Sequence, residues 1–492
     1  MSTPDPMDRT TRLGQAPSEL METVTFGYEL ERHSSLWHWL SIADMAHVVA
    51  LGEAGILDQD LVHELLRGLY ESHMEAMPPL DPSKGDLYTN RQAWLRERLG
   101  SVTGSIATGR ARREATTLAW HLECRLRIEA AIDAIAKLVV TLLVLAEEHR
   151  SALMPDFTYL QHAHPTTLGH YLLTFAYPFR RDLDRLVAAM NGINKSPAGS
   201  GSVNGSRLPL DREALARSLE FDGLIVHTRD AMWAPDIALE VISPAMSAFV
   251  TIDRFAEELQ IWSTTEFGFF EPADQHARTS VIMPQKKNPY GLAMLRGHAR
   301  EALGRVVSVI ATNLTPTGQP DNRIVAYADV PELIGRLTGA ALLLAEHVKT
   351  GRFRIDRMSD AARDGHTSAT EICDWLTLER GLSNGEAHAI VGRAVRLSID
   401  RGVETFVVND LLNAAKQLGM PEPDVDPAIL QSLQEPATIV GERRGRGSTA
   451  DLDSMISDLH LSLDALPTPR YLDFEDRYLT AIRKKTGEWN RQ

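Results

Sequence analysis

Residues 110–154 read RARREATTLAWHLECRLRIEAAIDAIAKLVVTLLVLAEEHRSALM, a run with neither glycine nor proline. Those two residues are the strongest interrupters of a helix, so the run has no built-in break. Glu129, Asp133, Lys137 and Thr141 recur every fourth position, with Ile, Leu, Val and Ala filling most places between. The spacing predicts a helix with one narrow polar stripe on an otherwise apolar surface. At 1.5 Å per residue, 35 helical residues would span roughly 50 Å. A rod this long and this apolar must be wrapped by other helices, which implies a long bundle or packing between subunits.

Later segments repeat the theme. Residues 294–312 place Arg296, Arg300 and Arg305 on one side and Leu295, Ala299, Leu303, Val306 and Ile310 on the other. Residues 332–348 are rich in Leu and Ala, with Arg336 and Glu346 as sparse charges. Strand signals are weak, because no alternation of β-branched residues extends beyond a few positions. The expected fold class is all-α. Breaks rich in Pro, Gly or Asn fall at 77–85, 194–209, 313–322 and 441–448. The expected organisation is an N-terminal helical region over 1–113, a central helical bundle over 114–363, and a C-terminal helical region with a tail over 364–492. Residues 194–205 are too polar for core and too short for an interdomain linker; loops of this composition often carry function on a rigid scaffold. The tail after residue 466 offers no reading.

The 492 residues are ordinary in composition, with 43% hydrophobic and 24% charged side chains, enough to bury a large core. Net charge is −15, which argues against a nucleic-acid partner while leaving room for a local basic pocket. Cys124 and Cys373 are too few for a disulfide framework and fit a reducing compartment. The polar segment 1–22 lacks the apolar core of a secretory signal. The most apolar stretch, 138–145, is far shorter than the roughly 20 residues that cross a bilayer. A cytoplasmic protein without a membrane partner is expected.

Three constellations could carry chemistry. In residues 279–291, TSVIMPQKKNPYG, two prolines and a glycine bracket Lys286, Lys287 and Asn288, with Ser280 just upstream. A cationic loop beside a helix start suits an anion, since free N–H groups and the helix dipole favour negative charge there; a solvated polar loop is the plainer reading. Residues 108–113, TGRARR, put Arg110, Arg112 and Arg113 at the head of the long helix. Arginine suits bidentate carboxylate recognition, and cations there oppose the dipole; a solvated charge run or subunit ion pairs would also account for them. In residues 157–165, His162 and His164 lie two apart, a spacing that does not share a helix face, and no Cys or carboxylate cluster accompanies them, so no metal site is expected.

Together these residues resemble the fumarase/aspartase superfamily in its argininosuccinate lyase form. Residues 283–289, MPQKKNP, resemble its signature loop. Residues 108–113 are similar to its Thr-Gly-Arg-Ser-Arg-Asn segment, 158–171 to its Thr-His-Leu-Gln segment, 196–213 and 262–269 to two further segments, and 443–449 to a late Gly-rich one. The resemblance spans roughly residues 25–460. It implies a three-region all-α subunit, a homotetramer whose active sites are shared between chains, and reversible elimination of fumarate from a succinyl group carried on nitrogen. No metal or organic cofactor is implied. By the same resemblance Ser280 is the base, Lys286 supports it catalytically, and Arg112, Asn288, Thr158, Gln161 and the position of Ala111 hold the dicarboxylate. The residue types suit the chemistry: removing a proton beside a carboxylate builds a dianion that fixed cations and donors must hold. A serine hydroxyl also needs nearby positive charge before it can act as a base.

Departures cluster on the amine side. The family's acid-side histidine is Tyr159 here and an earlier one is Tyr88. Ser-Arg-Asn is replaced by Ala111, Arg112 and Arg113, and Val281 stands where the family has a second serine. The family's lysine-bearing stretch should fall near 319–332, yet no lysine lies between Lys287 and Lys349. The fumarate half reads as kept and the amine half as rebuilt. A secondary amine with a pKa near that of Lys, ~10, is already protonated at neutral pH, so its departure needs no dedicated acid. Arg113 adds a cation for an extra carboxylate. The expected substrate is therefore an N-substituted aspartate or aminopolycarboxylate, as for ethylenediamine-disuccinate (EDDS) lyase, with Tyr159 orienting it. An argininosuccinate lyase releasing fumarate and arginine, and a non-catalytic oligomer of the same fold, are the alternatives.

Overall fold

The computed structural model describes residues 15–317 and 323–485. Its principal helices begin with α1 (Leu36–Glu53), α2 (Gln59–Met74) and α3 (Leu87–Leu99). The Gly- and Pro-free run then forms α4 (Arg112–Glu148), 37 residues and so about 55 Å long. Four more helices follow: α5 (Leu168–Ile193), α6 (Pro235–Trp262), α7 (Tyr290–Thr312) and α8 (Ile324–Thr350). With α4 they make the bundle, and the expected all-α class holds.

The direction of packing sets where functional groups can meet. The hydroxyls of Thr117 and Tyr327 are 2.6 Å apart near the heads of α4 and α8, and the rings of His149 and Phe353 meet just beyond their tails. These two helices therefore run parallel. Between α5 and α6, Phe175 and Phe255 stack with centroids 4.0 Å apart. In so dense an interior, truncating such a ring costs about 3–5 kcal/mol. α6 is the helix, among the described residues, long and apolar enough to cross a membrane, not the 138–145 stretch; Val241, Ala245, Phe249, Ile252 and Phe255 are buried within the bundle.

A second, smaller core lies in α9 (Ala369–Arg380), α10 (Asn384–Asp400) and α11 (Val408–Leu418), around Ile372, Leu376, Ile390 and Leu411. The chain then returns to the main core through α12 (Leu452–Asp464) and α13 (Phe474–Lys485).

The polar stripe of α4 is partly covered, and the expected apolar side of α7 is partly exposed. Glu129 lies on the covered part of the stripe. It is buried, and its carboxylate accepts the backbone N–H groups of Arg470, Tyr471 and Leu472 at 2.6, 2.5 and 2.7 Å. The tail covers that part of the stripe, leaving Asp133 and Lys137 outside as an ion pair of 2.6 Å. On α7, Leu303 and Ile310 are exposed along with Val307, although they belong to the expected apolar side. The same chain leaves Val140 and Val144 of α4 uncovered.

Strands are few and short. β1 (Leu153–Thr158) and β2 (Gln161–Thr167) form an antiparallel hairpin beyond the tail of α4. β3 (Arg278–Thr279) and β4 (Lys287–Asn288) close the base of a loop just before α7.

Candidate active site

The head of α4 is firmly tied down. Asp86 caps α3 by accepting from Thr89 N at 2.8 Å, and its other oxygen accepts from Arg112. That charge-assisted bond fixes the direction of a half-exposed guanidinium. Arg110 turns the opposite way into the core, where it pairs with Asp44 and donates to the Ala43 carbonyl at 3.0 Å. The three arginines are thus divided: Arg110 is structural, whereas Arg112 and Arg113 line a cavity of about 60 Å³ with Arg323, His33, Tyr88 and Asp86. Arg113 reaches Met232 Sδ at 3.8 Å. Arg323 borders residues 318–322, so the first part of the expected lysine-bearing stretch lies outside the described residues.

Ala111 occupies the N-cap of α4 and supplies no side-chain acceptor. Glu114 performs a different task one turn on. Buried in the bundle, it accepts from Gly199 N and Gly201 N, both at 2.7 Å, and from Ser200 Oγ at 3.4 Å. Burial pushes its carboxyl above the ordinary value, against the pull of Arg110 and these donors. The Gly-Ser loop singled out in the sequence is therefore clamped beside the Arg112–Arg113 cavity. Gly201 has φ +64°, and a Cβ there would come within 2.7 Å of the Gly205 carbonyl. Sequence reasoning found the loop and missed the clamp, because one glutamate among many carries no pattern.

The far end of the bundle is built differently. Tyr159 and Leu160 form the two-residue turn between β1 and β2, with φ +54° and +58°. A type I′ hairpin turn requires such angles and usually takes Asn or Gly. Holding larger residues there costs ~1–2 kcal/mol each. The turn thrusts Tyr159 into solvent, 99% exposed, with Thr158 and Gln161 exposed beside it. His162 and His164 sit on β2, where residues two apart do share a face. His162 packs edge-on against Phe157, while His164 contacts Thr370 Oγ1 at 3.1 Å and Arg443 at 3.3 Å.

The β3–β4 loop lies at this same end, since His276 at its base packs on His347 near the tail of α8, with ring centroids 4.4 Å apart. Ser280 Oγ accepts from Met283 N at 3.1 Å, giving the loop an internal turn. Asn288 donates to the Arg278 carbonyl at 2.9 Å. Lys287 pairs with Asp274 at 2.6 Å and Glu271 at 3.5 Å; hydrogen bonding to Asp274 raises its pKa. Lys286 next to it is exposed, and Val281 is 100% exposed at the tip.

The structure therefore gathers Ser280, Lys286 and Asn288 on one loop, Thr158, Tyr159 and Gln161 on one hairpin, and Arg112 and Arg113 in one cavity beside Ala111. It does not gather the three groups in one chain. About 55 Å of helix separates Arg112 from the hairpin. Among the described residues, no hydrogen bond or ring contact joins the loop to the hairpin tip.

Residues 24–304 match a protein family described as lyase. Argininosuccinate lyase from a Geobacillus strain is 32% identical over 409 residues, covering 82% of this chain and 88% of that protein. Argininosuccinate lyase from Methanospirillum hungatei is 34% identical over 434 residues, 86% of each. The crystal structure of EDDS lyase in complex with formate has a TM-score of 0.83 to this fold at 26% identity, covering 96% of this chain and 95% of that one. The chain belongs to the fumarase/aspartase superfamily and is argininosuccinate lyase-like. Within that class it is a carbon–nitrogen lyase.

Proposed function

We propose that the chain reversibly eliminates fumarate from an N-substituted aspartate of the aminopolycarboxylate kind. The observation that carries this reading is a contrast: Ser280, Lys286 and Asn288 stand together on their loop, while Tyr159 replaces the acid-side histidine and Arg113 adds a second guanidinium beside Arg112. EDDS lyase as a structural neighbour supports it. Ser280 Oγ, its own proton released to solvent and its alkoxide held by the Lys286 ammonium, takes the C3 proton, and the electrons of that C–H bond move into the adjacent carboxylate as a dianion. Lys286, Asn288, Thr158, Gln161 and Arg112 hold that charge, and the backbone beside Ala111 borders the same cradle. Collapse to the C=C bond breaks the C–N bond on the opposite face, and its electron pair leaves with the amine. An alkylammonium of pKa ~10 departs as the neutral amine without a separate acid. Arg113 receives a carboxylate of the amine partner, and Tyr159 orients it.

Because Arg112 lies a helix length from Thr158 and Ser280, the complete site takes one group from each of several chains in a homotetramer. The exposed Tyr159, Val281, Leu303 and Val144 support such an assembly. The second reading, argininosuccinate lyase releasing arginine, is favoured by the relatives at 32–34% identity. Following fumarate absorbance with a panel of N-alkyl aspartates, EDDS and argininosuccinate separates the two. Turnover of the N-substituted aspartates with little on argininosuccinate is expected; rapid turnover of argininosuccinate alone overturns the proposal.

A further inference from the structure

We propose that His38, His73 and Glu475 form a site for a divalent ion of the zinc class, which fastens the C-terminal helix to the N-terminal helices. His38 lies in the first turn of α1, His73 in the last turn of α2 and Glu475 in the first turn of α13. Glu475 Oε1 is 2.5 Å from His38 Nε2 and 3.0 Å from His73 Nε2, and the two imidazoles are 4.1 Å apart at their centroids. All three ligand atoms fall within 4.8 Å of one another, and among the described residues no other group of three His, Cys, Asp or Glu does so.

The donor set is what zinc prefers outside thiolates, two imidazoles and a carboxylate. Bonds of about 2.0–2.1 Å in tetrahedral geometry hold ligand atoms roughly 3.4 Å apart. The contacts need to open by less than about 1 Å to admit the ion. His73 is 1% exposed at its side chain, and its Nδ1 has no partner. Nε2 of this buried imidazole is the atom aimed at Glu475 and His38, and a metal there takes the place of the shared proton, leaving Nδ1 as the N–H. His38 is 44% exposed, so the fourth position opens to water and gives an entry path. The tail already leans on the bundle through Glu129, and Tyr471 and Phe474 flank Arg125 at 4.2 and 4.6 Å. An ion at Glu475 pins the helix that follows, linking positions hundreds of residues apart.

The test uses the full chain, dialysed against EDTA and titrated with Zn²⁺ by calorimetry and with Co²⁺ by visible absorption. One ion per chain is expected, with a Co²⁺ absorption band and a rise in Tm on adding Zn²⁺. His38→Ala, at a half-exposed position, and Glu475→Gln should each weaken binding roughly tenfold or more and remove the Tm shift. Absence of saturable uptake, or uptake unchanged in His38→Ala, overturns the proposal. Should Glu475→Gln fail to fold, His38→Ala decides alone.

Discussion

The two ends of α4 could hardly be more different. At its head, several groups are braced within their own chain: Arg112 by Asp86, the Gly-Ser loop by Glu114, and the turn below by Asp44 and Arg110. Beyond its tail, Tyr159, Val281 and Lys286 stand in solvent on a hairpin and a loop. The head is a set of guanidinium groups fixed in place by the chain's own carboxylates. On the proposed reading, the tail end holds reactive groups that are complete only when another subunit covers them. On that same reading, the braced end carries recognition and the open end delivers chemistry to it.

The largest effect that would sharpen this contrast falls on the open end. Ser280→Ala should lower kcat by roughly 10²–10⁴-fold while leaving the fold and the oligomer intact, as read by fumarate absorbance and size-exclusion chromatography. Unchanged turnover would remove the serine from the base role. At the braced end the main loss should be stability. Glu114→Ala leaves the Gly199 and Gly201 amides without their acceptor and should cost about 1–3 kcal/mol in urea unfolding, with a raised KM. A smaller effect concerns acid. Burial holds the pKa of His47, near the head, down to about 3, and that of His347, under the β3–β4 loop, down to about 4. Both are neutral in the folded chain where the unfolded chain takes up a proton. Stability is therefore full above about pH 6.5 and falls as pH drops toward 4. Urea midpoints at pH 7 and pH 5 measure the slope, and His347→Gln should make it shallower.

Much of this was legible in the sequence. A run without Gly or Pro over 110–154 became a helix over Arg112–Glu148, and 283–289 became an exposed loop before a helix, as their compositions implied. The hairpin was hidden because Pro155 and Pro165 interrupt its alternation and its turn is built from Tyr159 and Leu160, residues that do not signal positive φ. The burial of Glu129 was not legible, because periodicity reports which side of a helix is polar, not what later covers it. Only the folded tail, 341 to 343 residues further on, turns that carboxylate into an anchor for three amides.

The length of α4 also bears on how the enzyme behaves in a cuvette. With Arg112 and the Ser280 loop held a rod's length apart, the shared site proposed above leaves a lone subunit with two half-sites and no whole one. Specific activity then depends on the protein's own concentration, falling upon dilution as the subunits part company and returning when they are concentrated again.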